Sequence, residues 1–137
     1  MNLYEDSTES DIYGLWTDTL VSQTQGLRVH KLTIRANNSF KYSFEGYGLY
    51  VNQSLNEKSF SHENIGNFVL STRNIYFVSN QQEYWDFISQ ETPNSIIEDK
   101  EIFESCTYTV ANDTLTLQFK ESGIVLLKEN TLILTRQ

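Results

Sequence analysis

The sequence predicts an all-β chain, folded as a single antiparallel up-and-down β-barrel of about 8–10 strands. Three observations carry this expectation. Phe, Tyr and Trp supply 18 side chains and β-branched residues are plentiful, while Ala occurs only twice in 137 residues. Strands favour the first group and helices favour Ala. One segment alternates apolar and polar residues strictly, and short apolar runs recur around polar turns, as hairpins do. No segment shows helical periodicity over ten residues, and full closure would remove the exposed edges that such a sheet cannot tolerate.

Residues 1–11, MNLYEDSTESD, read as a flexible acidic N-terminal segment, and 12–137 as the barrel domain. The segment has no basic n-region and no apolar h-region. Either the chain is cytoplasmic and starts at Met1, or an export signal has been removed and the segment tethers a periplasmic or cell-envelope lipoprotein. The Asn- and Thr-rich composition tips the expectation to export.

Residues 12–22 open the barrel and 27–36 form the second strand, separated only by QTQG. Asn37-Asn38 forms a tight turn because Asn tolerates the left-handed conformation. In 39–51 (SFKYSFEGYGLYV), Phe40, Tyr42 and Phe44 share one face and Lys41, Ser43 and Glu45 the other. Leu32 and Ile34 join the aromatic face, and Gly46 and Gly48 mark a bulge or bend. Residues 53–63 read as a loop. Residues 66–77 (GNFVLSTRNIYF) then align with 106–117 (CTYTVANDTLTL) as two hairpins turning at STRN and ANDT. A third, looser copy, IVLLKENTLILTRQ, turns at KEN. Residues 83–90 read as a strand, and 91–101, which hold the only proline, as a loop.

Composition excludes several functions. A net charge of −8 and a pI near 4.6 lack the basic footprint of nucleic-acid binding. No run approaches a membrane-spanning helix. A lone cysteine excludes an internal disulfide framework. The three sequons, at Asn37, Asn52 and Asn112, are expected by chance in so Asn- and Ser-rich a chain.

Gly14-Leu15-Trp16 near the start of the first strand, and Leu134-Thr135-Arg136 closing the last, resemble the lipocalin and wider calycin pattern. The hairpin TYTVANDTLTL is similar to one found in small bacterial lipocalin-like domains of unknown function. The resemblance implies that Trp16 plugs one barrel end and that Arg136 packs across its indole as a structural Trp–Arg pair. The lid helices of fatty-acid-binding proteins have no counterpart between the first two strands, so that group's carboxylate-binding residues do not transfer.

No phosphate loop, dinucleotide fingerprint or esterase elbow is present, so no cofactor and no enzyme activity are expected. His30 reads as a strand histidine satisfied by a neighbour. His62 lies beside Glu63 in the expected loop. Two histidines without His-x-His spacing give no metal site. Cys106 follows Glu104 and Ser105, and negative neighbours raise a thiol pKa, so it reads as structural.

The aromatics point to binding. Tyr42, Phe44, Phe68, Tyr76, Trp85, Phe87 and Tyr108 are the expected lining of a cavity for a small hydrophobic or amphipathic ligand. Each buried apolar group contributes roughly 1.5–3 kcal/mol, enough for about micromolar affinity after association costs. An anionic ligand would need Arg28, Arg35 or Arg73 at the mouth. The alternative is a filled scaffold acting as an inhibitor or protein-interaction module, with a basic partner and Trp85 exposed. The oligomeric state is left open.

Overall fold

A computed structural model of the chain describes residues 12–22, 26–49, 53–54, 56–87, 92–124, 127 and 129–137. The acidic segment 1–11, the sequon Asn52 and Lys128 of the expected KEN turn lie outside the described residues. Among the described residues there are nine strands and no helix. They are β1 (Gly14–Ser22), β2 (Gly26–Ile34), β3 (Ser39–Tyr47), β4 (Lys58–Leu70), β5 (Ile75–Asp86), β6 (Asn94–Ile102), β7 (Thr107–Ala111), β8 (Thr114–Gln118) and β9 (Thr131–Arg136). All pair antiparallel in one sheet of order β6-β5-β4-β3-β2-β1-β9-β8-β7, curled into a half-barrel.

The turns follow from their residues. Asn38 takes φ 65° between β2 and β3, and the Asn37 side chain accepts from the Ser39 N–H at 3.1 Å. Asn112 and Asp113, at φ 53° and 61°, make the two left-handed residues of a hairpin turn between β7 and β8. The register slips between Gly46 and Tyr47, as the glycines predict, and again between Ile65 and Gly66.

The concave face carries the core. Trp16, Leu32, Ile34, Phe40, Tyr42, Phe44, Phe68 and Phe77 all lie on it, 3 % exposed or less. Phe40, Phe68, Phe77 and Phe103 meet largely edge to face, the arrangement that aromatic quadrupoles favour. One end is stitched shut. The Tyr108 N–H donates to the Arg73 carbonyl at 3.0 Å, and the Ile75 N–H to the Cys106 carbonyl at 3.1 Å. The Phe103 N–H donates to the Ser122 carbonyl at 2.9 Å.

Four expectations are corrected. The loop over 53–63 is shorter, because β4 begins at Lys58 and holds His62. Its His62 and Asn64 face the interior although polar, which hides the alternation. Residues 94–102 are a strand rather than a loop. Pairing with β5 imposes that conformation, and exposure of both faces leaves no pattern to read. The third hairpin does not appear among the described residues, where β8 pairs β9 directly and 119–124 and 127 lie outside the strands, while Val125 and Leu126 lie outside the described residues. Ile124 and Leu127 instead fold inward around Ser122, whose hydroxyl lies 3.2 and 2.9 Å from their carbonyls. The strand expected over 83–90 is the end of β5, which stops at Asp86.

Candidate functional site

The register lines up one row of residues across six strands of the concave face. Asp18 pairs with His30, His30 with Phe44, Phe44 with His62, His62 with Tyr84 and Tyr84 with Asn94. On the stitched side of this row the interior is aromatic and aliphatic. At the row itself it turns polar.

A pocket of about 300 Å³ opens on the β4–β6 part of this row. His62 and Asn64 of β4, Gln82 and Tyr84 of β5, and Ile96 of β6 form its walls, and Ile124 closes it from the segment after β8. Glu98 and Lys100 stand on its β6 side. Such a lining can hold an apolar group against Tyr84, Ile96 and Ile124 while amides and charges orient a polar one.

The histidines flank Phe44. The Tyr42 hydroxyl lies 2.6 Å from His30 Nδ1. Burial first, with the Glu129 charge adding to it, raises the Tyr42 pKa well above its ordinary value, so the phenol keeps its proton and donates. The His30 proton then sits on Nε2, which has no hydrogen-bond partner among the described residues. The His62 ring meets Tyr84 edge-on at 4.7 Å, and its buried Nδ1 also has no hydrogen-bond partner among the described residues. Burial lowers both imidazole pKa values, that of His62 to about 4 with Lys100 adding to the effect.

The sign of the pH dependence follows. Between about pH 6.5 and 4 the unfolded chain binds a proton on His62 that the folded chain refuses. Stability is therefore full above pH 6.5, falls as the pH drops through this window, and levels off below it. The loss expected from His62 is on the order of 1–2 kcal/mol once solvent screening is counted. Urea melts of wild type and His62→Gln at pH 7 and pH 4.5 check this. The wild type should lose more than the variant, and equal losses would remove His62 as the cause.

The predicted lining residues fall into three places. Tyr42, Phe44, Phe68 and Tyr108 are buried in the core, with the Tyr108 hydroxyl donating to the Ser71 carbonyl at 3.2 Å. Trp85 and Phe87 stack on each other at 4.3 Å on the convex side, where the Lys58 ammonium lies 5.6 Å from the Phe87 ring. Tyr76 also faces outward, 48 % exposed. None of the seven lines the 300 Å³ pocket. The sequence reading missed His62, Asn64, Gln82, Tyr84 and Ile96. Tyr84 was within reach of it, because it is one residue from Trp85, and a single step in a strand reverses the face. On the convex face, burial alone would raise the Glu45 carboxyl, but Lys58 at 2.6 Å and Lys31 at 3.3 Å outweigh it and hold it below the usual range.

Arg136 lies over the Trp16 indole, 4.3 Å from the ring centroid, and its Nη1 donates to the Tyr13 carbonyl at 2.7 Å. Cys106 is buried, and burial rather than the neighbouring carboxylates pushes its thiol up to about 12. Among the described residues, no group of three or more His, Cys, Asp and Glu is placed to hold a metal ion. No described helix is long and apolar enough to cross a membrane.

The class these features define is an all-β antiparallel half-barrel, compatible with a calycin-like fold. No protein-family model matches the sequence, and no curated protein or solved structure matches it either.

Proposed function

We propose that this protein is a lipocalin-like half-barrel that binds a small amphipathic molecule without catalysis, in the pocket between β4, β5 and β6. The observation that carries this reading is the 300 Å³ pocket at the point where the concave face turns from apolar to polar. Its mixed lining favours an amphipathic over a purely hydrophobic ligand. The lipocalin-like assignment draws support from Gly14-Leu15-Trp16 and from the guanidinium of Arg136 over the indole. The non-catalytic character draws support from Cys106, whose high pKa disqualifies it as a nucleophile.

The solid aromatic core favours a second reading, a filled scaffold that acts through its surface. Mass spectrometry of freshly purified protein separates the two. Native spectra should show a reproducible mass excess that disappears on denaturation. The bare chain mass in both spectra would overturn the carried-ligand reading in favour of the scaffold.

A further inference from the structure

The free edge of β6 is a separate feature. β6 ends the sheet order, and residues 94–101 are all exposed. The segment after β8 pairs alongside Phe103 and Glu104, brings Gly123 beside the Glu101 carbonyl and then turns, the Leu127 N–H donating to the Ile124 carbonyl at 3.2 Å. Among the described residues, no strand pairs with 94–100 on the side away from β5. That free stretch runs about 23 Å at roughly 3.3 Å per residue.

Apolar side chains continue from this edge across the convex face. Ile97 is 84 % exposed. It pairs with Gln81, which pairs with Ile65, also exposed. Val69 and Tyr76 pair with each other on the same face, and both are exposed. The rim is acidic. Glu83, Asp99 and Glu101 border the patch, and none of the three makes an ion pair among the described residues.

Charges and a register slip between Ser79 and Gln81 protect the part of the edge from Glu98 to Glu101. Asn94 to Ile97 carry no charge. The same carboxylates that repel an acidic strand select a basic one. A second copy is the poorer occupant. Two-fold pairing centred on the charged half would set Glu98 or Asp99 against itself, and each chain carries −8.

We propose that β6 is a docking edge for an extended, basic segment of a partner protein. The segment adds a tenth strand along 94–100, sets apolar side chains beside Ile97 and places Lys or Arg on the same convex face, against Asp99 and Glu101. Backbone hydrogen bonds supply affinity, and the alternation supplies specificity. Ile97 faces away from the pocket, so this inference does not rest on the ligand reading.

The test uses the full chain and a fluorescently labelled eight-residue peptide, Lys-Thr-Lys-Thr-Val-Thr-Val-Thr, whose Lys and Val side chains share one face of the strand, followed by anisotropy. Three comparisons accompany it: the same peptide interrupted by a central Pro, a Val/Glu version, and Ile97→Lys protein. The Val/Lys peptide should bind saturably and protect the amides of 94–97 from exchange. The Pro peptide and the Ile97→Lys protein should each weaken binding at least ten-fold, and the Val/Glu peptide should not bind. Equal binding of the Pro-interrupted peptide would reduce the effect to charge attraction and overturn strand addition. Unchanged binding by Ile97→Lys protein would move the site elsewhere. A wild-type dimer by light scattering that Ile97→Lys dissolves would give the edge to a second copy instead.

Discussion

Trp16→Ala should lose about 3–5 kcal/mol of folding stability, the range for deleting a large buried aromatic side chain. Trp16 is completely buried, and its indole N–H donates to the Ile12 carbonyl at 2.9 Å. Arg136 covers its ring and ties the last strand back to Tyr13. One truncation therefore opens a cavity, leaves the Ile12 carbonyl without this donor and removes the surface on which Arg136 rests. A domain of this size has about 5–15 kcal/mol in total, so the loss removes a large fraction of it. Arg136→Ala should cost far less, about 1 kcal/mol. Its ion pair with Asp113 adds little, because the aspartate side chain is 79 % exposed. Urea denaturation of both variants checks the order. A Trp16→Ala loss no larger than that of Arg136→Ala would mean that the stitched end is not packed on the indole.

Gly66→Ala should be as damaging, by more than about 3 kcal/mol or by failure to fold, which exceeds the common range for overpacking. A Cβ at this position would overlap the Val78 carbonyl oxygen and lie 2.9 Å from Ser79 Cα. Both are backbone atoms of the neighbouring central strand and cannot turn aside. The position also adjoins the register slip after Ile65, so the clash falls where β4 and β5 are already offset. Gly46→Ala makes the informative comparison, because its Cβ would meet the ring of Phe60, a side chain with some freedom to shift. It should cost about 1–3 kcal/mol. Equal melting midpoints for the two variants would contradict the distinction between backbone and side-chain obstacles.

The wall from β1 to β3 was legible in the sequence because those strands present one apolar face, and the turns at Asn38 and at Asn112-Asp113 were marked by residues that tolerate left-handed backbone. The pocket was not legible, for a physical reason. His62, Asn64 and Gln82 face inward although polar, so alternation, which detects apolar burial, placed them in a loop or ignored them. Glu98 and Lys100 lie on a strand exposed on both faces, where no burial pattern exists. The aromatic residues drew attention because they are large, but size predicts burial and not the lining of a cavity: Phe44 and Phe68 fill the core. Trp85 and Tyr84 are adjacent, and only the pairing of β5 with β4 decides which of them faces the interior. The run IVLL looked like a strand because it is apolar, but its described residues, Ile124 and Leu127, are buried outside any strand and act as a plug.

The pocket itself is tested most directly by titrating the amphipathic dye 8-anilinonaphthalene-1-sulfonate into wild type, Tyr84→Ala and Tyr76→Ala. Tyr84 lines the pocket, whereas Tyr76 stands on the convex face. Thermal melts establish that each variant is folded at the titration temperature. Wild type and Tyr76→Ala should bind one dye molecule with the same affinity, and Tyr84→Ala should bind at least ten-fold more weakly. No saturable binding by wild type, or equal weakening by the two tyrosine substitutions, would contradict a ligand site between β4, β5 and β6.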